Sequence, residues 1–259
     1  MRLPLPPLDC HAHIDTSIQA EDLRALRAVV VAVTREPAEW EPALDREDPA
    51  TMWAVGLHPG VPAALEQFDP DRFEEALAST SFVGEIGLDG RARTHMDRQR
   101  EVFAGALAAV ARQPRPVTIH SVAAEEETIA MLRRHKVIAP ILHWWRGDEK
   151  LTREAVELGC YFSINGHEIR KPRVLDSIPS SRLLTETDFP HSRRYDRVAD
   201  RPGRVETVEV GLEDRWGVDR LGVRRKLWQN FGAMLSEIGM AERMPRAVLA
   251  ALATAGFEG

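Results

Sequence analysis

Leu8-Asp9-Cys10-His11-Ala12-His13 reads as a short β-strand with imidazoles at its end. Side chains alternate faces along a strand, so His11 and His13, two apart, leave it on the same side. Neutral imidazole is a favoured ligand for zinc and similar ions, and such a pair makes half of a metal site. Two neighbouring histidines can equally be surface residues, so the reading depends on what the rest of the chain brings to the same place.

Outward from this stretch, apolar β-branched runs recur at 28–34, 52–58, 82–88, 116–120, 137–143, 160–165 and 182–187, giving eight strand candidates with 8–13. Between several of them, at 95–112, 123–136 and 148–158, the apolar residues return at helical spacing. Phe103, Leu107 and Val110 show this in the first segment, and Ile129 and Leu132 in the second. Alternating strand and helix implies parallel strands, and eight such units close as an α/β (β/α)8 TIM barrel. An open doubly wound sheet would need fewer strands or leave edges exposed. No Gly-x-Gly-x-x-Gly follows the first strand, so dinucleotide binding has no support. An Arg- and Asp-rich stretch follows the last strand, and helices are expected at 221–238 and 243–254. With no repeat, linker or low-complexity tract, residues 1–259 read as one barrel domain.

The composition narrows the function. A formal net charge of −6 does not draw the whole molecule to nucleic acid, so phosphate contact would have to come from metals or from local clusters such as Arg193-Arg194 and Arg224-Arg225-Lys226. The two cysteines, Cys10 and Cys160, lie in strand-like runs without a C-x-x-C motif, which suits buried thiols in a reducing cytosol. The Pro-broken N-terminus lacks the apolar region of a signal peptide, and no run approaches the ~18 apolar residues of a membrane span. The expected localisation is cytoplasmic.

In such a barrel, active residues stand at the C-terminal ends of the strands. Here His11 and His13 end the first strand, Glu85 lies on the fourth, His120 ends the fifth, His143 ends the sixth, and Asp188 follows the eighth. Singly, each has an ordinary alternative: a strand-end His can bond a loop, and an Asp can cap the next helix. Their common position argues for a shared site. Four histidines with two carboxylates suit two divalent ions, and Glu85 on a central strand could bridge them. By contrast, His95 and His135 read as solvated, and Glu125-Glu126-Glu127 as a helix start favoured by the macrodipole. Trp53, Trp144 and Trp145 read first as core and second as base-stacking platforms.

These motifs, with Gly56-Leu57-His58-Pro59, Gly84-Glu85-Ile86-Gly87-Leu88-Asp89, Ile119-His120-Ser121, Tyr161-Phe162-Ser163-Ile164-Asn165-Gly166 and Leu183-Leu184-Thr185-Glu186-Thr187-Asp188-Phe189-Pro190, resemble the TatD family of metal-dependent deoxyribonucleases in the amidohydrolase superfamily. The resemblance runs from Asp9 to about Leu235. It implies His11, His13, Glu85, His120, His143 and Asp188 as ligands of two divalent ions (Mg2+, Mn2+ or Zn2+), with Glu85 bridging. It further implies that Asp188 handles the proton of the attacking water, and that Asp9 is a structural partner of the ligands. The implied activity is 3′-to-5′ exonucleolytic hydrolysis of single-stranded or frayed DNA.

Two departures bear on substrate. Val122 stands where the family usually carries Arg, and His143 is followed by Trp144-Trp145-Arg146-Gly147 in place of a Phe-Ser-Gly-like turn. Arg146 is therefore expected to take over phosphate contact, with His58 lining the pocket. Two alternatives stay open: hydrolysis of a small ester, lactone or amide by a related amidohydrolase, and a catalytically weak metal-binding subunit of a larger, for example antiphage, assembly.

Overall fold

The computed structural model describes residues 5–257. Strands β1 (Leu8–His13), β2 (Val29–Val33), β3 (Thr51–Leu57), β4 (Phe82–Gly87), β5 (Val117–His120), β6 (Ile141–His143), β7 (Tyr161–Ile164) and β8 (Leu183–Thr185) pair in chain order. Every adjacent pair is parallel. The ring closes between its first and last members, where Asp188 N–H donates to the His11 carbonyl at 2.9 Å and His13 N–H donates to the Phe189 carbonyl at 2.8 Å. This is the expected TIM barrel.

The sequence pattern overextends most strands by a residue at an end, and β6 and β8 by more. Val137 and Ala139 are buried, yet Lys136 and Ala139 take left-handed backbone conformations (φ 54° and 47°) and Pro140 has no N–H to give a ladder, so β6 begins only at Ile141. At the other end of the ring, Thr187 N–H leaves the ladder to donate to Asp9 Oδ1 at 2.8 Å, and β8 stops at Thr185. The helix Glu206–Trp216 lies inside the stretch read only as polar chain. Its buried face includes Glu209, whose carboxylate takes a two-pronged contact from Arg224 at 2.7 and 3.0 Å. A buried acid where a helix face normally carries an apolar residue hides the periodicity.

The strand starts are apolar. Leu8, Val29, Met52, Phe82 and Tyr161 join Trp228, Phe231, Met234 and Leu235 of the helix Arg220–Ile238 in one cluster, to which Val248 and Leu252 of the C-terminal helix Arg246–Thr254 also belong. Trp228 is fully buried and its indole N–H donates to the Pro6 carbonyl at 2.9 Å. The strand ends are polar, and two backbone irregularities lie on the strands that supply them. β1 carries one extra residue against β2 between Asp9 and Ala12, and β4 carries one extra residue against both neighbours between Val83 and Ile86. Such bulges re-aim the side chain they carry. They contain His11 and Glu85 respectively. Gly87 allows the close approach of β4 to β5, because a Cβ there would lie 2.0 Å from the His120 carbonyl oxygen.

Candidate metal centre

Glu85 is 1% exposed and divides its two oxygens between different partners. Oε2 lies 3.6 Å from His11 Nε2, 3.5 Å from His13 Nε2 and 3.6 Å from His58 Nε2. Oε1 lies 2.5 Å from His120 Nδ1 and 2.6 Å from His143 Nε2. Asp188 reaches in from the opposite side, its Oδ1 3.5 Å from His13 Nε2 and 3.9 Å from His11 Nε2. The rings of His11 and His143 stack at 3.9 Å. All six residues picked from the strand ends thus meet in one place.

The second nitrogen of each ring decides what the first can do. His11 Nδ1 is 2.8 Å from the Thr118 hydroxyl, which can accept its proton and leave the Nε2 lone pair free. His120 Nε2 is 3.1 Å from Asp89 Oδ2, an arrangement that holds a proton on Nε2 and would leave the Nδ1 lone pair for a cation in the centre. His143 turns its Nε2 inward, 2.6 Å from Glu85 Oε1, while its Nδ1 is buried without a hydrogen-bond partner, 3.8 Å from Glu186 Oε2. His58 is the opposite case. Its Nδ1 accepts from Gly60 N–H at 2.9 Å, so in the neutral ring the proton must be on Nε2. Although His58, Glu85 and His120 stand close enough to share an ion, His58 presents a donor rather than a lone pair to the centre. Burial pulls its pKa down to about 4, which keeps it neutral.

The electrostatics follow from the same contacts. Burial alone would raise the carboxyl of Glu85, but the surrounding imidazoles outweigh it and hold the group well below its ordinary range. Asp188 is likewise lowered, burial being outweighed by His13, His143 and His11. His11, buried and repelled by His143, falls to about 3. Glu85 and Asp188 are thus carboxylates and His11 a neutral ring, the states that bind cations. Glu85 raises His120 and His143 against their burial, so these two rings hold protons that a bound cation would displace. Two of the inward atoms, His11 Nε2 and Glu85 Oε2, are buried without a hydrogen-bond partner. Burying an unpaired acceptor is costly, and a cation between them would satisfy both. His11, His13 and Glu85 form one group of ligand atoms within 4.8 Å of one another, and His11, His143 and Asp188 form another. The donor set therefore fits divalent metal.

The sequence profile of the TatD-related DNase family matches residues 8–236. The chain belongs to this family. It is 31% identical over 216 residues to a metal-dependent hydrolase named TatD from Mycobacterium tuberculosis, covering 71% of this chain and 80% of that one. It is 28% identical over 202 residues to the metal-dependent hydrolase YabD of Bacillus subtilis, covering 70% and 79%. The crystal structure of the TatD homologue YJJV from Escherichia coli superposes with a TM-score of 0.72 at 23% identity, covering 88% of this chain and 96% of that one, which shows the shared fold. As a member of the family, the chain is a hydrolase acting on ester bonds.

Around the ligands stand several further groups, of which Asp9 is the expected structural partner, while the sequence does not single out Glu186, His191 and Glu168. Glu186 ties the end of β8 to its neighbours, accepting from Trp144 N–H at 3.1 Å, from Asn165 Nδ2 at 3.1 Å and from the Ser163 hydroxyl. Its two-residue separation from Asp188 is the same signal that linked His11 to His13. Asp9 accepts from His11 N–H, Thr187 N–H, the Thr187 hydroxyl and Gly203 N–H, so it pins the seam between β1 and β8. Burial pushes its pKa up to about 7 against those hydrogen bonds. His191 stacks edge-on to His13 at 4.8 Å. Glu168, 6% exposed, is raised well above the ordinary range by burial and by Glu186.

The cations sort into two groups. Arg224 is committed to Glu209 and to the Leu5 carbonyl, and Lys226 lies over the Trp216 ring, so these two cations are engaged in packing away from the ligands. Arg193 and Arg194 are exposed in the loop after β8, beside Phe189 and Tyr195. Arg146 is half-buried with its guanidinium 4.7 Å from the Trp144 ring. Val122 is half-buried, and its carbonyl accepts from Gly90 N–H at 2.8 Å. Among the described residues, no helix is long and apolar enough to cross a membrane.

Proposed function

We propose that this chain is a two-metal phosphodiesterase that removes nucleotides from single-stranded or frayed DNA in the 3′-to-5′ direction, working as one barrel unit. The observation that carries the reading is the division of Glu85 between His11 and His13 on one oxygen and His120 and His143 on the other. His11, His13, Glu85, His120, His143 and Asp188 would hold the two ions, Mg2+, Mn2+ or Zn2+. Bound there, they would lower the pKa of water and stabilise charge on the attacking and leaving oxygens of the phosphodiester.

The remaining work falls to the protein. Asp188, kept ionised beside three imidazoles, accepts the proton of the attacking water. Asp89 holds a proton on His120 Nε2, which would leave its Nδ1 for the metal. His58 offers its Nε2–H to a phosphate oxygen, and Arg146 supplies the cation that Val122 does not.

Metal analysis together with hydrolysis of end-labelled single- and double-stranded DNA, with Mg2+ or Mn2+ and with chelator, tests the proposal. The expected result is about two ions per chain, shortening from the 3′ end, and loss of both in Glu85→Ala. Protein that holds metal and hydrolyses a small ester or lactone but leaves DNA intact would move the reading to the small-substrate amidohydrolase.

A further inference from the structure

Beside the metal centre, the loops after β6, β7 and β8 bring together aromatic and polar side chains of which the proposed hydrolysis uses only Arg146. Trp144 directly follows the ligand His143 and adopts a left-handed backbone conformation, φ 42°, which bulky residues rarely take. Its backbone N–H is held by Glu186, and its side chain is 8% exposed. Such strain persists only where the surroundings enforce it, and it concentrates at binding sites.

Around this ring stand Arg146, its guanidinium 4.7 Å from the ring, His167 at 6.2 Å and Tyr195 at 5.7 Å. His167 and Tyr195 pack on each other at 4.7 Å. The buried atoms without a hydrogen-bond partner include three from this neighbourhood: Trp144 Nε1, Arg146 Nε and Glu168 Oε2. Native proteins seldom leave such groups unpaired, and three in adjoining loops point to a ligand that pairs with them.

Their chemistry limits the ligand. Trp144 Nε1 and Arg146 Nε can only donate, while the Glu168 carboxyl, kept neutral by burial, offers an O–H as well as an acceptor oxygen. A phosphate group offers acceptors alone and no flat face, so it would leave the acceptor oxygen of Glu168 and the aromatic rings unused. A heterocyclic base presents acceptors and N–H donors along one edge and a flat face for aromatic rings. The exposed Arg170 and Arg194 extend the same rim, bonded to the Tyr195 carbonyl at 3.1 Å and lying 4.6 Å from the Tyr195 ring, where they can meet the adjoining backbone.

We propose that Trp144, Arg146 and Glu168, flanked by His167 and Tyr195, form a pocket for the nucleobase next to the scissile phosphodiester. The proposal rests on the phosphodiesterase reading. It places base recognition in the Trp-Trp-Arg turn, where this chain departs from its family.

Two measurements test it on the full-length protein. In the first, the metal-loaded enzyme hydrolyses single-stranded oligonucleotides carrying either a normal base or an abasic tetrahydrofuran residue at the 3′-terminal and penultimate positions. Loss of the base at one of these positions is expected to lower kcat/KM about tenfold or more, the scale of one stacked base. In Trp144→Phe and in Glu168→Gln the ratio between intact and abasic strands should fall towards one. In the second, a normal oligonucleotide added in chelator should quench tryptophan fluorescence in wild type, less so in Trp144→Phe, and an abasic strand should quench weakly in both. Equal kinetics on intact and abasic strands by wild type, or a wild-type ratio retained in both variants, overturns the pocket. Hydrolysis of bis(p-nitrophenyl) phosphate separates the two claims. If wild type cleaves that base-free diester but ignores the bases of DNA, the pocket alone falls. If it cleaves neither the diester nor DNA, the phosphodiesterase reading falls and the pocket with it.

Discussion

Phe82 and Glu85 are three residues apart on β4, and both are essentially inaccessible to solvent. Phe82 lies among Leu8, Met52, Trp228 and Phe231, where each buried group is apolar and contact alone compensates for burial. Glu85 lies among five imidazoles, where each buried group would be costly without its partner. The strand-start end therefore stabilises the barrel by itself. The strand-end mouth is held open at a cost that bound cation would offset, so its residues should govern activity and metal content more than the stability of the metal-free fold.

The sharpest way to break this contrast is Asp188→Asn. It preserves shape while removing the proton acceptor, and kcat should fall by roughly 10²–10⁴-fold with the metal-free unfolding curve little changed. Nuclease activity equal to wild type in that variant would remove Asp188 from the mechanism.

At the other end, Trp228→Ala should destabilise the protein by about 3–5 kcal/mol in urea unfolding, since it empties a fully buried site and strands the Pro6 carbonyl. What survives folded should still bind metal with ordinary affinity. A large loss of metal affinity in folded Trp228→Ala would mean that the two ends are not separable.

A smaller effect concerns pH. His58, half-buried at the mouth, has a folded pKa of about 4 against the ordinary 6.5. A ring whose pKa is depressed on folding contributes its full stability above about 6.5, and that contribution is lost as pH falls towards 4. In chelator, wild type should lose on the order of 3 kcal/mol or less more than His58→Gln between pH 7.5 and pH 4. Parallel stability–pH curves for the two proteins would show that His58 is not a neutral donor.

The mildest change is Arg146→Ala, which should leave metal content intact and raise KM on DNA several-fold, about 1 kcal/mol. Unchanged kinetics would return Arg146 to a structural partner of Trp144.

Much of this molecule could be read from local pattern. The alternation of short apolar runs with helical periodicity specifies parallel strands, and eight such units close the ring. The positions of His11, His13, His120 and His143 at strand ends follow from the same pattern, because strand and helix periods are properties of neighbouring residues. Local pattern erred where backbone geometry overrode it, at the left-handed turn before β6, and where a buried acid, Glu209, masked the apolar face of the helix Glu206–Trp216.

What the pattern could not carry is which atom of each residue faces inward. That depends on a hydroxyl 107 positions away for His11, on Asp89 for His120, and on a neighbouring N–H that makes His58 a donor. It depends too on the bulges that aim His11 and Glu85. The pocket beside Trp144 is of the same kind, since its rings and unpaired atoms come from three separate loops. Residue spacing fixes which side chains reach the mouth. Their protons, lone pairs and partners are set by contacts between segments distant in the chain, and these exist only once the barrel has closed.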